Sequence, residues 1–346
     1  MAIQVFVAGA VARPQEPICD ADCCHRHPRA CRPRATRLIS SEQSRAEAEE
    51  GARLLRGIAA PSGDIVISHT NAANLPFARN WWRHLEAAAV RNFALLATDD
   101  AAHTTLQAEL AGHVVRCPRS IVGSTGTRDP SGYKSKGWTK LMFAVPMMVR
   151  WVLRLGLNVL WMDTDVIALA DPLPAIRAQA AQAAVGHDGP LLLASVDGRV
   201  PDEDLHECRR AYSADARWGR SASGWKLCGG LFYLRHGDAA LSFLREWERR
   251  LHEPGAGAKN QPHYNEALRT ATSGLRVDVL PCDLFPNGYR YASEAWRRAQ
   301  RRAPLLVHNN WIKGHEAKLS RFRGWGMWKD DKNRSVGRKP PSPSEQ

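Results

Sequence analysis

At 346 residues, 44% apolar and 24% charged, the chain is long enough for one large domain or two small ones around a substantial core. A formal charge of +13 raises the question of nucleic acid. The excess sits at the end, where residues 297–346 hold 13 Lys and Arg against 4 Asp and Glu, so a diffuse nucleic-acid-binding face is not indicated.

Met1–Ala12 is mildly apolar but lacks the basic start of a secretory signal. Four cysteines, Cys19, Cys23, Cys24 and Cys31, are interleaved with His25 and His27 and invite a zinc reading, yet their spacing fits none of the usual paired-cysteine frames. Residues 1–60 are accordingly read as a disordered leader or linker with one helix near Glu42–Arg56, residues 61–331 as a folded domain, and residues 332–346 as a disordered basic tail. No apolar run approaches the roughly 18 residues of a membrane span, so no anchor is expected in this chain.

Within the domain, Ile65-Val66-Ile67 and Phe93–Ala97 read as strands, with helical periodicity from Leu75 to Val90 between them. A second helix is expected from Trp138 to Leu155, interrupted by Pro146 and stopped by Gly156. Further strands are expected at Val159–Met162, Leu191–Val196, Leu231–Leu234, Leu275–Leu280 and Leu305–Val307, with an amphipathic helix at Ala239–Leu251. Strands alternating with helices predict an α/β fold, a mainly parallel sheet with helices on both faces, and ligands bind such sheets beyond the carboxyl ends of the strands.

Asp163-Thr164-Asp165 follows the strand Val159–Met162, and residues two apart on an extended chain face the same way, so both carboxylates can meet one hard cation such as Mg²⁺ or Mn²⁺. The same spacing occurs at Asp20/Asp22 and Asp202/Asp204; only the pair at 163 and 165 leaves a buried strand. At the far end of the domain Leu305-Leu306-Val307 delivers His308, whose neutral nitrogen can ligate the same ion, and Lys313, Gly314 and Lys318 follow as a phosphate-site candidate. The bland readings are a turn-capping Asp, a hydrogen-bonded core His and a solvated lysine face.

At these residues the chain resembles the plant and algal nucleotide-diphospho-sugar transferases, which include xylosyl- and arabinosyltransferases of cell-wall and glycoprotein glycans. The resemblance covers roughly residues 64–329 and rests on Asn158–Val166 with Asp171-Pro172-Leu173, on Gly230–Arg235, on Asp283–Gly288, and on Val307–Lys318 with Arg321-Phe322 and Gly326-Met327-Trp328. It implies a Rossmann-like glycosyltransferase-A fold and a metal-dependent enzyme, with Mn²⁺ or Mg²⁺ held by Asp163, Asp165 and His308. The reaction implied is transfer of a sugar from a UDP-sugar to a glycan or glycoprotein acceptor with retention of configuration, in the Golgi lumen. It also implies that Thr70 and Asn71, within Ser68–Asn71, lie against the nucleoside, and that Lys140 reaches the donor. Where many relatives have Asp-Gln this chain has Asn260-Gln261, so Gln261 remains a candidate near the anomeric carbon without a carboxylate before it. Asp197 is the other catalytic candidate, and Trp225 or Trp311 could stack on a sugar. Asn333-Arg334-Ser335 is an acceptor triplet for N-glycosylation. Two other readings compete: a Mg²⁺-dependent nucleotidyltransferase, which lacks a Gly-rich triphosphate loop here, and a basic nucleic-acid-binding protein, which lacks a recognition module.

Overall fold

The computed structural model describes residues 34–122, 136–184, 191–197, 226–253, 259–270 and 274–329. In chain order these form α1 (Arg34–Ile58), β1 (Asp64–Thr70), α2 (Leu75–Ala87), β2 (Phe93–Ala97), α3 (Asp100–Glu109), β3 (Val114–Arg116), α4 (Arg119–Val122), α5 (Lys136–Leu153), β4 (Asn158–Met162) and β5 (Val166–Ala168). There follow α6 (Leu173–Ala184), β6 (Leu191–Asp197), β7 (Lys226–Leu234), α7 (Asp238–Leu251), α8 (Asn260–Thr270), β8 (Arg276–Val279), α9 (Gly288–Ala292), α10 (Glu294–Ala299), β9 (Leu306–His308) and α11 (His315–Gly324).

Seven strands make one sheet in the order β3-β2-β1-β4-β7-β6-β8. The pairs β2–β3, β1–β2, β1–β4 and β6–β8 are parallel, and β7 alone runs against both neighbours. This is the mainly parallel mixed sheet expected from the sequence. The pleat sends alternate residues to opposite faces. Ile65, Ile67, Val159 and Trp161 enter one core with Leu55 of α1, Met148 and Val152 of α5, Phe243 and Trp247 of α7, and Tyr264 of α8. Val66, Leu160 and Met162 enter the other with Trp81 and Leu85 of α2, Leu106 of α3 and Ile176 of α6. Both faces are therefore covered, which is why the strands read as continuous apolar runs.

Two expectations change. Ala52 and Leu55 of α1 are buried, and a Cβ on Gly51 would come 2.8 Å from Val115 Cγ1. The expected leader boundary at residue 60 thus falls beyond the end of a helix whose part from Ala46 onward already belongs to the main body. Strand β7 begins at Lys226, five residues before the expected Leu231 start. The β6–β7 register jumps from Ala194 opposite Phe232 to Val196 opposite Leu227, so Gly229 and Gly230 fall in a bulge, and glycines inside a strand break the apolar pattern. Pro146 lies inside α5, and Gly156 takes φ 82° just after it, as the sequence suggests. The cysteine cluster, Trp225, the Asp202/Asp204 pair and the Asn333 triplet lie outside the described residues.

A separate two-stranded ribbon sets the site. Strands β5 and β9 pair antiparallel with Val166 opposite His308 and Ala168 opposite Leu306. Ile167 and Val307 pack with Phe77 of α2, Phe322 of α11 and Met327, which fixes the ribbon against the body of the domain.

Candidate active site

Strand β4 ends at Met162, and the chain turns at once into β5: Asp163 N donates to Gly230 O at 2.8 Å and Val166 N to Asp163 O at 2.8 Å. Because β7 is reversed, its amino-terminal half, Cys228–Gly230, lies at the same edge of the sheet as the carboxyl end of β4. Strand β9 brings His308 to this edge from the other end of the chain. Ligand atoms of Asp163, Asp165 and His308 all lie within 4.8 Å of one another. The carboxylate pair read from its spacing and the distant His308 do converge.

The electrostatics of the cluster are lopsided. Asp165 Oδ2 accepts from Lys318 Nζ at 2.5 Å and Asp165 Oδ1 lies 3.3 Å from His308 Nε2. Burial alone would push the Asp165 carboxyl up, but Lys318 and His308 outweigh it and hold it well below the usual carboxylate range. Asp163 receives a hydrogen bond from the neutral Trp161 indole Nε1 at 3.0 Å. Burial, and then the Asp165 charge beside it, push the Asp163 carboxyl up to about 6. Burial disfavours the charged His308 ring, yet Cys228 and Asp165 together raise it well above its ordinary value. Cys228 Sγ is 3.5 Å from His308 Nδ1, so with the proton on Nδ1 the Nε2 lone pair faces the carboxylates.

These residues fit a divalent cation. Two carboxylates and an imidazole nitrogen are a suitable donor set, and their ligand atoms lie within 4.8 Å of one another. Gly230 makes the cradle: a Cβ there would overlap Asp163 Oδ2 and approach His308 Cε1 to 2.9 Å.

The raised Asp163 has a consequence for stability. A carboxyl whose folded pKa exceeds its unfolded value of about 3.9 favours the folded state at low pH, and that contribution is lost as pH rises through about 6. His69 and His84, lowered by burial to about 4, act oppositely over the same window, since the unfolded chain binds their protons and stability grows with pH. The expected observation is therefore a difference. In chelator, Asp163→Asn should gain more stability than wild type between pH 4.5 and 6.5, by about 1–3 kcal/mol, from denaturant unfolding. Parallel pH profiles would show that the Asp163 carboxyl is not raised in the folded protein.

Beside the triad lies a second group. Gln261 Nε2 donates to Asp197 Oδ2, Asn310 Nδ2 donates to Asp197 Oδ1 at 3.2 Å, and Gly229 N donates to Gln261 Oε1 at 3.4 Å. Asn310 Oδ1 accepts from Gly288 N at 2.7 Å, and Arg321 holds Asn309 Oδ1 at 2.5 Å and the Asn310 carbonyl. The two catalytic candidates thus touch each other, joined to the triad through adjacent residues of β7 and of the segment after β9.

The remaining candidates are more spread. Thr70 and Asn71 are buried at the carboxyl end of β1, where Thr70 O accepts from Thr98 Oγ1 at 3.0 Å and Asn71 Oδ1 caps the following turn at Asn74 N, 3.1 Å away. Lys140 is exposed on α5. Lys313 and Gly314 are exposed before α11, with Gly314 at φ 87° as its cap. Sequence reasoning gave no role to Trp161, Cys228, Gly230, Gly288 or Asn310. The glycine pair inside an apolar run was the available signal; the thiol had none.

The sequence profile described as nucleotide-diphospho-sugar transferase matches residues 88–322, well over half of the chain. The chain belongs to that family. This transferase is 24% identical over 282 residues to UDP-D-xylose:L-fucose alpha-1,3-D-xylosyltransferase MGP4 of Arabidopsis thaliana, covering 80% of the chain and 73% of that protein. It is 22% identical over 220 residues to the UDP-galactose:fucoside alpha-3-galactosyltransferase of Dictyostelium discoideum, covering 58% of the chain and 30% of that protein. Among solved structures, the WbbM bifunctional glycosyltransferase is 13% identical with a TM-score of 0.42, over 72% of the chain and 46% of that protein. The transferase is therefore a nucleotide-sugar-dependent glycosyltransferase with an α/β fold, a mainly parallel mixed sheet and a cluster suited to a divalent metal.

Proposed function

We propose that this transferase moves a pentose or galactose from a UDP-sugar to a fucose-bearing glycan or glycoprotein, with Mn²⁺ (or Mg²⁺) and with retention of anomeric configuration. The observation that carries the reading is the convergence of Asp163, Asp165 and His308 beside the joined pair Asp197 and Gln261. The names of the two curated relatives supply the substrate class, since both describe alpha-linked transfer from a UDP-sugar to a fucose unit. The transferase domain is proposed to run from the packed half of α1 to about residue 331, with the basic tail beyond it.

Asp163, Asp165 and His308 hold the cation in this proposal. A bound divalent cation supplies positive charge to the diphosphate as it departs. Lys318 and Lys313 add charge at the phosphates, with the side-chain-free Gly314 allowing close approach, and Thr70, Asn71 and Lys140 hold the nucleoside end. In the transfer, the bond from the sugar C1 to the phosphate oxygen breaks, the acceptor hydroxyl oxygen bonds to C1 on the same face, and its proton passes to the departing phosphate. Both oxygens of Asp197 accept from side-chain amides, which supports Asp197 as the group that orients Gln261 near C1, not as an attacking nucleophile. The glycan-synthesising relatives of plants support action in the Golgi lumen, although no described helix is long and apolar enough to cross a membrane. Cytosolic staining of the native full-length protein would overturn that placement.

The test incubates the full chain with UDP-xylose, UDP-arabinose or UDP-galactose and methyl α-L-fucoside, following UDP release and the product's anomeric proton. One donor should support metal-dependent transfer with an axial product linkage, and activity should vanish in excess EDTA and return with Mn²⁺. Full turnover in EDTA would remove the metal site from the reaction, and an inverted product would remove the same-face attack.

A further inference from the structure

Three large apolar side chains are exposed among the described residues, Leu169, Tyr289 and Trp311, and the last two touch. Their ring centroids are 5.8 Å apart with planes tilted by 55°, and Tyr289 and Trp311 are 44% and 45% exposed. Trp311 also takes φ 60°, the left-handed region that bulky residues avoid.

The neighbours explain how that backbone is held. Asn310, immediately before Trp311, donates to Asp197 Oδ1, accepts from Gly288 N, and has its carbonyl clamped by Arg321. Gly288, immediately before Tyr289, has no room for a side chain, because a Cβ would overlap the Asn310 carbonyl and stand 2.7 Å from Arg321 Nη2. Each exposed ring thus follows a residue locked into the network around Asp197 and Gln261. Trp311 also lies three residues after His308, a reach of at most about 11 Å along the chain. The strain and the close packing hold two aromatic rings beside the reacting end of the site, whereas Lys318 and Gly314, assigned to phosphate, come later on α11 and at its cap.

Resting on the proposed transfer reaction, we infer that Tyr289 and Trp311 form the acceptor platform, the apolar C–H face of the acceptor's terminal sugar lying on the Trp311 indole with Tyr289 at its side. A sugar with one face free of axial hydroxyls, such as a 6-deoxy hexose, matches such rings: its C–H groups meet the π face while its hydroxyls remain in water or toward Asp197 and Asn310. The platform would select the acceptor and leave donor binding to other residues.

The test is steady-state kinetics of Trp311→Ala, Trp311→Phe and Tyr289→Ala with methyl α-L-fucoside as acceptor, alongside calorimetry of UDP with Mn²⁺. Trp311→Ala should raise the acceptor KM about tenfold, Tyr289→Ala should raise it severalfold, and Trp311→Phe should recover most of the loss. UDP affinity should stay at the wild-type value in all three. Acceptor KM values equal to wild type would overturn the platform, as would a loss of UDP affinity matching the loss in acceptor KM, which would put the nucleoside on these rings. Failure of the wild-type enzyme to glycosylate the fucoside would count against the proposed function itself. Should Trp311→Ala be unstable, Tyr289→Ala and Trp311→Phe decide the matter, since both leave an intact or aromatic residue at the strained position.

Discussion

Asp165→Ala should lower turnover by roughly a hundredfold or more, because it removes the group that meets both His308 and Lys318 at the centre of the cluster. Without Asp165, one carboxylate and one imidazole remain as ligands, and the positive charge meant for the departing diphosphate is lost or misplaced. Donor affinity should fall as well. Lys318→Ala is the contrasting variant: it keeps all three ligand side chains, removes the ammonium that Asp165 Oδ2 accepts from, and deletes one charge-assisted contact of about 1.5–3 kcal/mol, or ten- to hundredfold in kcat/KM. Turnover, donor affinity and Mn²⁺ affinity measured for both separate the roles. Asp165→Ala retaining wild-type turnover would sink the metal assignment, and Lys318→Ala indistinguishable from wild type would refute the phosphate role alone.

Gly230→Ala is expected to be about as damaging, although it adds a single methyl group and removes nothing. That methyl would overlap Asp163 Oδ2 and press on the His308 ring. Asp163 has little freedom to yield, since Trp161 holds its other oxygen at 3.0 Å and its backbone N–H is bonded to Gly230 itself at 2.8 Å. One ligand must leave its position, and turnover should drop by about a hundredfold, while overpacking costs about 1–3 kcal/mol of stability. The adjacent Gly229→Ala is the control: its methyl would meet Tyr264 Cγ at 3.7 Å, an ordinary contact, so Mn²⁺ affinity and melting temperature should stay near wild type. Wild-type Mn²⁺ affinity in Gly230→Ala would show that the cluster tolerates the methyl and that the cradle is not needed.

Much of the fold was legible because its strands are buried on both faces and so appear as unbroken apolar runs, as at Phe93–Ala97 and Leu191–Val196. Strand direction was not legible. An apolar run carries no mark of which way it enters a sheet, so the reversal of β7, which puts Cys228 and Gly230 at the metal edge, had no local signature. The carboxylate pair was readable from spacing on an extended chain, and His308 from its place at the end of a core strand. Their closeness is a long-range fact that no window of sequence contains. The second half of α1 was read as leader because Arg, Glu and Ala dominate it, and the apolar stripe that packs Ala52 and Leu55 is narrow. Asp197 and Gln261 were named as candidates, but their contact joins the end of β6 to the start of α8 across 64 residues of chain, which no local pattern shows.

The pairing of Val166 with His308 makes the site a gauge of insertions and deletions. A side chain in a strand alternates faces with every residue, so a slip of one place along β9 would carry the imidazole to the far side of the ribbon and bring Val307 or Asn309 to the carboxylates. Chain length at the exposed stretch Arg301–Ala303, just before β9, can drift among descendants of this sequence without touching the cluster. Between Leu305 and Asn309 it cannot change by even one residue. Natural length variation in this lineage should therefore accumulate before β9 and stop abruptly at it.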